Sequence, residues 1–251
     1  MYKKIEEYSL NGWPALQTFV YDGWLLRFAN GFTKRSNSIN PIYQGNDQGV
    51  EEKIGRCETI YSQNGLDTVF KITPFVIPSQ LDSILAQREY EIIDLTSVQT
   101  VDLSLIEEPR LNNVSIHNEI NNEWLDVLRI LNNLSSAHVE ITRNLLSSSY
   151  LKKGFFVLYD HLMPVACGFG VIEQNYVGLY DIITDPKFRN QGYGRELILH
   201  ILKWAKLNGA THGYLQVVKG NSPALRLYEK VGFKEIYTYW YRYKKYRNTL
   251  Y

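Results

Sequence analysis

Arg189, Gly192 and Gly194 stand as Arg-x-x-Gly-x-Gly between an apolar, β-rich run and a segment with helical apolar spacing. Glycines in such a turn let backbone N–H groups approach an anion closely, and a helix opening at Gly194 adds orphan donors and the positive end of its dipole. The amides of Asn190, Gln191, Gly192, Tyr193, Gly194 and Arg195 are the expected cradle for a pyrophosphate, with Arg189 and Arg195 as charge partners. An isolated glycine pair does no more than turn a chain into a helix, so the order of elements around it decides the reading.

Three further residues lie within reach along the chain. Tyr228 falls on the apolar stripe Ala224, Leu227, Tyr228, Val231, so its hydroxyl must find a partner when buried. Asn221 precedes Ser222-Pro223, where one of the two polar residues caps the following helix. Asp181 is an acid inside the apolar run Leu179 to Thr184, and such an acid is paired, hydrogen-bonded or functional; Glu173 is the reserve carboxylate. Cys167 sits in an apolar strand with no basic neighbour to lower its pKa, which disfavours it as a nucleophile.

The elements that must position these residues follow a regular order from Val114. An alternating segment, Val114 to Ile120, leads to a helix capped by Asn121 or Asn122 with Trp124, Val127, Leu128 and Leu131 on one face. A second helix starts after Ser135 or Ser136. Strands at Gly154 to Asp160 and Val165 to Glu173 are joined by a turn at residues 161–164, and a third covers Val177 to Thr184. After the glycine turn, Leu197, Ile198, Ile201, Leu202 and Ala205 mark a helix that ends at Asn208-Gly209. A strand at Tyr214 to Val218, the Tyr228 helix, a glycine stop at Gly232 and one long alternating run from Tyr237 to Tyr243 complete the pattern.

In this order of strand, glycine turn, helix, strand, Asn and Tyr-bearing helix, the chain resembles the GNAT N-acetyltransferase superfamily, whose signature is Arg or Gln, two residues, Gly, one residue, then Gly or Ala. The resemblance runs from Val114 to about Tyr243. It implies an α+β, three-layer fold with a mixed, mostly antiparallel central sheet flanked by helices, and acetyl-CoA as acyl donor. It further implies that the pantetheine arm bonds the main chain of Ile182, Ile183 and Thr184, that Asn221 reaches the cofactor arm, and that Tyr228 donates to the departing thiolate. His138 falls in the region that borders the acceptor pocket in such enzymes, although a solvent-facing position suits it better. Asp181 is the candidate base, yet relatives with an assigned glutamate base carry it where this chain has Gly178.

The expected activity is transfer of an acetyl group to a primary amine of a small molecule by direct attack in a ternary complex. Another acyl group or a peptide amine is the alternative; a non-catalytic acyl-CoA sensor or scaffold is the reading from another class.

Composition fits. The chain has 251 residues, 45% hydrophobic, and 27 Lys plus Arg against 26 Asp plus Glu, so no net field favours nucleic acid or an anionic membrane. Cys57 and Cys167 lie far apart without metal-ligand spacing, which excludes a zinc motif and suits a reducing, cytoplasmic setting. The start of the chain has no apolar signal region, and no run of about 18 apolar residues occurs.

The first half is less regular. Gln17 to Tyr21, Trp24 to Ala29 and Phe32 to Ile42 read as strands joined at Asp22-Gly23 and Asn30-Gly31. Helices are expected at Val50 to Tyr61 and Ser79 to Arg88, with strands at Val69 to Thr73 and Glu91 to Val101. The progression from Asn64-Gly65 to Tyr90 parallels that from Asn208-Gly209 to Phe233, which suggests a tandem, pseudo-duplicated chain. The expected domains are residues 1–110, a degenerate GNAT-like unit in which Leu85 stands where Tyr228 stands, and residues 111–251, the acetyl-CoA-binding unit.

Overall fold

A computed structural model describes residues 2–46 and 49–246; the outermost ends of the two expected domains and positions 47–48 lie outside the described residues. In chain order the elements are α1 (Tyr2–Gly12), β1 (Gln17–Tyr21), β2 (Trp24–Phe28), β3 (Ile39–Pro41), α2 (Val50–Gln63), β4 (Thr68–Ile72), α3 (Leu81–Gln87), β5 (Glu91–Asp102), β6 (Val114–His117), α4 (Asn122–Asn132), α5 (Ser136–Ser147), β7 (Lys152–Asp160), β8 (Met163–Glu173), β9 (Tyr176–Thr184), α6 (Tyr193–Leu207), β10 (His212–Val218), α7 (Ser222–Val231) and β11 (Lys234–Lys244). No helix among the described residues is long and apolar enough to cross a membrane.

Contacts divide the chain into two compact units that are not simple halves. The first comprises Met1–Pro14, Val98–Val217 and Asn221–Ile236; the second comprises Ala15–Ser97, Val218–Gly220 and Tyr237–Tyr251. These contact units thus differ from one cut at 110/111, because α1 joins the unit that holds the glycine turn and the end of β11 joins the other.

In the first unit β9 pairs antiparallel with β8, β8 with β7 and β7 with β6, while β10 lies parallel to β9. This is the mixed, mostly antiparallel sheet the resemblance implies. Strand alternation gives it two apolar faces. Phe156, Val177, Leu179 and Leu215 pack with Leu197, Ile201 and Leu202 of α6 and with Tyr228 and Val231 of α7. On the other face Trp124 of α4 meets Phe155 and Phe169 edge-on, and Trp13 beyond α1 packs on Phe169 and Tyr180. Helices on both faces make three layers.

Local chemistry explains the helix ends. Asn121 and Ser135 accept from the amides of Trp124 and His138 as N-caps, and Gly232, at φ 103°, closes α7 with its amide on Glu229 O while Phe233 N returns to Tyr228 O. The β7–β8 turn is tighter than expected: only His161 and Leu162 lie outside the strands, His161 at φ 51°.

The second unit packs Trp24, Leu26, Ile39, Phe70 and Ile72 against Ile54, Cys57 and Tyr61 of α2 and Leu81 and Leu85 of α3. Its strands follow the order β1, β2, β3, β4, β11. The expected strand from Phe32 to Ile42 shrinks to Ile39–Pro41, and the side chain of Asn37 is the reason. Its Oδ1 accepts from the amides of Ala29 and Gly31 and its Nδ2 donates to the carbonyls of Phe32 and Thr33, which folds residues 29–37 into a compact loop.

Candidate active site

The β9–β10 pairing is short. Only His212↔Tyr176, Gly213↔Val177 and Tyr214↔Gly178 are in register, so from Leu179 onward β9 has no β10 partner. On its other edge β9 follows β8 to Ala166↔Thr184, with a bulge between Cys167↔Ile183 and Phe169↔Tyr180 that places Asp181 at φ 47°. Gly168 lies opposite the bulge, where an added Cβ would come within 2.6 Å of Ile182 Cδ1. The strands therefore part at Gly178 and leave a cleft along the main chain of Ile182, Ile183 and Thr184, although the Thr184 carbonyl also accepts from Arg189 Nε at 3.2 Å.

The glycine turn lies at the end of β9. Asp185 Oδ1 accepts from Lys187 N and holds a 3₁₀ turn at Pro186–Phe188, after which Asn190 at φ 62° and Gly192 at φ 94° bring the chain into α6. Arg195 N and Glu196 N both donate to Gly192 O at 3.0 Å. The amides of Asn190, Gln191, Gly192, Tyr193 and Gly194 make no hydrogen bond among the described residues. Five consecutive orphan donors at a helix start suit an anion. Space at Gly194 is tight, since a Cβ there would stand 3.0 Å from Thr184 Oγ1 and 3.2 Å from Leu227 Cδ2.

The two arginines differ. Arg189 is exposed beside the turn, whereas Arg195 Nη2 is held 2.8 Å from Glu107 and its Nη1 3.7 Å from Glu196. Glu196 in turn accepts from the amides of Arg110 and Leu111. Arg195 is thus tied into a carboxylate network and its amide into the helix, which leaves residues 190–194 as the run of amides without a partner among the described residues.

Tyr228 is 8% exposed and its ring meets Phe233 edge-on at 6.0 Å. Its hydroxyl has no hydrogen-bond partner among the described residues. Burial pushes the phenol up to about 12, which keeps it protonated and able to donate. Asn221 Oδ1 caps α7 by accepting from Ala224 N at 3.2 Å.

Residues 2–243 match the family described as "Probable histone acetyltransferase Rv0428c C-terminal". The chain is 30% identical over 247 residues to the uncharacterized N-acetyltransferase YobR of Bacillus subtilis, covering 97% of this chain and 98% of that protein. This chain belongs to that acetyltransferase family, within the GNAT superfamily. The fold agrees: a GCN5-related N-acetyltransferase from Kribbella flavida superposes with a TM-score of 0.74 at 14% identity, over 99% of this chain and 96% of that one. A tandem GNAT protein from the clavulanic acid biosynthesis pathway gives 0.60 at 11% identity, over 82% of this chain and 75% of the other.

Within this GNAT unit the acids and thiols separate clearly. Asp181 is half-buried at the bulge, and its carboxylate lies near enough to Cys167 to add to the burial that pushes that thiol up. Cys167 is therefore held as an unreactive thiol. Glu173 pairs in register with Tyr176, at the far end of β9 from the bulge, and accepts from Asn11 Nδ2 at 3.1 Å. Five residues of strand separate Tyr176 from Asp181, about 17 Å, so Glu173 and Asp181 stand near opposite ends of β9. His138 is exposed on the first turn of α5.

Sequence reasoning passed over Tyr180 and Tyr214, whose hydroxyls are 2.7 Å apart beside the parting of the strands. In a chain with 19 tyrosines nothing marks these two until the strands are registered.

Proposed function

We propose that the enzyme moves an acetyl group from acetyl-CoA to a primary amine of a small molecule, by direct attack of the amine on the thioester in a ternary complex. The observation that carries this reading is the run of unpartnered amides at residues 190–194, placed at the end of the strand whose main chain borders the cleft. The cradle would hold the pyrophosphate with Arg189 as charge partner, the edge of Ile182, Ile183 and Thr184 would take the pantetheine amides, and the Nδ2 of Asn221 would reach the same arm. Amine attack forms the C–N bond as the C–S bond breaks. Tyr228 gives its proton to the departing sulfur, and Asp181 takes the proton lost by the amine. A buried neutral phenol suits the first role because the charge it meets develops only in the transition state.

A peptide amine is the second reading, favoured by the description of the matched family as a probable histone acetyltransferase. The buried thiols Cys57 and Cys167 suit a reducing, cytoplasmic compartment.

Thiol release from acetyl-CoA, propionyl-CoA and longer donors, followed over small amines and lysine peptides, tests the reading. Turnover of acetyl-CoA with a small amine is the expected result. Faster transfer to peptides supports the second reading, and tight acyl-CoA binding without transfer to any acceptor makes the protein a sensor or scaffold instead.

A further inference from the structure

In the second unit β1 is an open edge strand. It stands first in the order β1, β2, β3, β4, β11, and its sequence, Gln17-Thr18-Phe19-Val20-Tyr21, holds no charge, no proline and no bulge, the devices that keep such an edge from pairing. Phe19 is 45% and Val20 67% exposed. Tyr21↔Trp24 closes a two-residue hairpin at Asp22-Gly23, so Tyr21, Phe19 and Gln17 bond β2, while Thr18 and Val20 turn their N–H and C=O groups to the open side. Those groups have no partner among the described residues.

Beside this edge α2 leaves a cleft of about 490 Å³. Arg56, Ile60 and Asn64 line it at i, i+4 and i+8, one face of the helix, across from Phe19 and Phe28. The direction of α2 is fixed at two points: Lys53 Nζ lies 2.8 Å from the Asp22 carboxylate at the hairpin turn, and Tyr61 Oη donates to Arg27 O at 2.9 Å further along β2. Arg56 therefore stands towards the Tyr21 end, close enough for its charge to act on that phenol, and Asn64 lies about 12 Å further along the helix. Arg56 makes no hydrogen bond or ion pair among the described residues, not even with Glu52 one turn before it.

We infer that β1 and α2 form a docking groove for an extended peptide with a free C-terminal carboxylate, which adds as a strand to the edge of β1 and sets that carboxylate on the Arg56 guanidinium. Arg56 at the Tyr21 end makes the peptide run parallel to β1, with its last residue level with Tyr21 and its third-last level with Phe19. Tyr21 and Phe19 lie opposite Trp24 and Leu26, which pack against α2, so both of these peptide side chains face the helix. The third-last is apolar and fills the cleft over Phe19, Phe28 and Ile60. The main chain of Thr18 and Val20 bonds that of the peptide. The groove lies wholly within the second unit, and the inference is independent of the acetyl-transfer reading.

Fluorescence anisotropy of the full chain with labelled hexapeptides, varied over their last three positions and each made with a free and an amidated C-terminus, tests this. Free-acid peptides with an apolar third-last residue should bind, and amidation should weaken them at least about tenfold. Arg56→Gln should cost the free-acid peptides the same factor and leave the amidated ones unchanged. Val20→Pro removes an N–H on the open side only, so it should weaken both forms while the β1–β2 ladder stays paired. Both variants should melt as wild type does. Equal affinity for free and amidated peptides, or wild-type binding by Arg56→Gln, overturns the carboxylate capture, and an array in which no peptide binds overturns the groove. Hydrocinnamate that displaces the peptides but is indifferent to Val20→Pro would make the cleft a small-carboxylate pocket instead. Self-association in sedimentation, abolished by Val20→Pro without any peptide bound, would make the edge a contact between two copies of this chain.

Discussion

Tyr228 combines burial, a raised pKa and a hydroxyl without a partner among the described residues, and these have separable consequences. Replacing it by Phe keeps the ring that packs on Phe233 and removes only the donor, so kcat should fall on the order of 10²-fold while acetyl-CoA affinity stays nearly constant. Steady-state kinetics beside a direct binding titration separates the two. Because the folded pKa is raised from the ordinary value near 10 to about 12, the native state holds this proton more tightly than the unfolded chain. Its contribution to stability is complete below about pH 10 and is lost as pH rises through about 12. The kcat profile should accordingly show no alkaline fall assignable to Tyr228 below about pH 10, and a limb near pH 8 would contradict its role as donor. The residue was legible in the sequence because it sits on an apolar helix stripe at a fixed distance after the glycine turn. Tyr180 and Tyr214 were not legible: their pairing depends on a parallel register between strands separated by a helix, which no local spacing records.

Among the elements, the turn into α6 concentrates the demands on backbone conformation. Gly192→Ala puts a side chain on a residue at φ 94°, which costs about 1–2 kcal/mol although nothing lies within 4 Å of the new Cβ. Gly194→Val instead forces atoms against Thr184 Oγ1 and Leu227, displacing the helix start from the cleft. Gly192→Ala should lower the melting temperature and, because the new Cβ stands at a cradle amide, also weaken acetyl-CoA binding, whereas Gly194→Val should reduce acetyl-CoA affinity at least about tenfold, since the cradle amides move with the helix. Calorimetry and binding titration on the same samples check both. The 3.6-residue stripe, the caps at Asn121 and Ser135 and the stop at Gly232 placed α4 to α7 from sequence. α1 escaped, although Ile5, Tyr8, Ser9 and Gly12 carry the required spacing and are buried, because the helix has no capping signal. The shortened β3 escaped because Asn37 satisfies backbone groups of its own loop in competition with a ladder.

At the scale of the whole molecule, the tandem reading raises the question of how many acyl-CoA molecules one chain holds. In the second unit the segment before α2 is already engaged with an internal anion. Asp22 accepts from Asn46 N at 2.5 Å and lies 2.8 Å from Lys53 Nζ, while Glu51 and Glu52 make the first turn of α2 acidic. A phosphate there would meet the like charges of Glu51 and Glu52. Titration calorimetry should therefore return one acetyl-CoA per chain, and two equivalent sites would overturn this assignment. The same unit should be acid-sensitive. The Lys53 hydrogen bond holds Asp22 below the usual carboxylate range, and Arg242, bonded at 2.7 and 3.0 Å, does so for Asp82. Both folded values lie below the unfolded ones, so their stabilisation is complete above about pH 4 and drains away as pH falls further. Circular dichroism of Asp82→Asn should show a flatter loss of stability below about pH 4 than wild type.

In the proposed complex, acetyl-CoA is held by the amides of residues 190–194 with its sulfur at Tyr228. Binding of acetyl-CoA to wild type, Gly194→Val and Tyr228→Phe, read alongside thiol release with the amine panel, tests it most directly. Wild type should bind tightly and turn over, Gly194→Val should bind more weakly, and Tyr228→Phe should bind as wild type does but lose turnover. Equal acetyl-CoA affinity in all three proteins, or none in wild type, would contradict it.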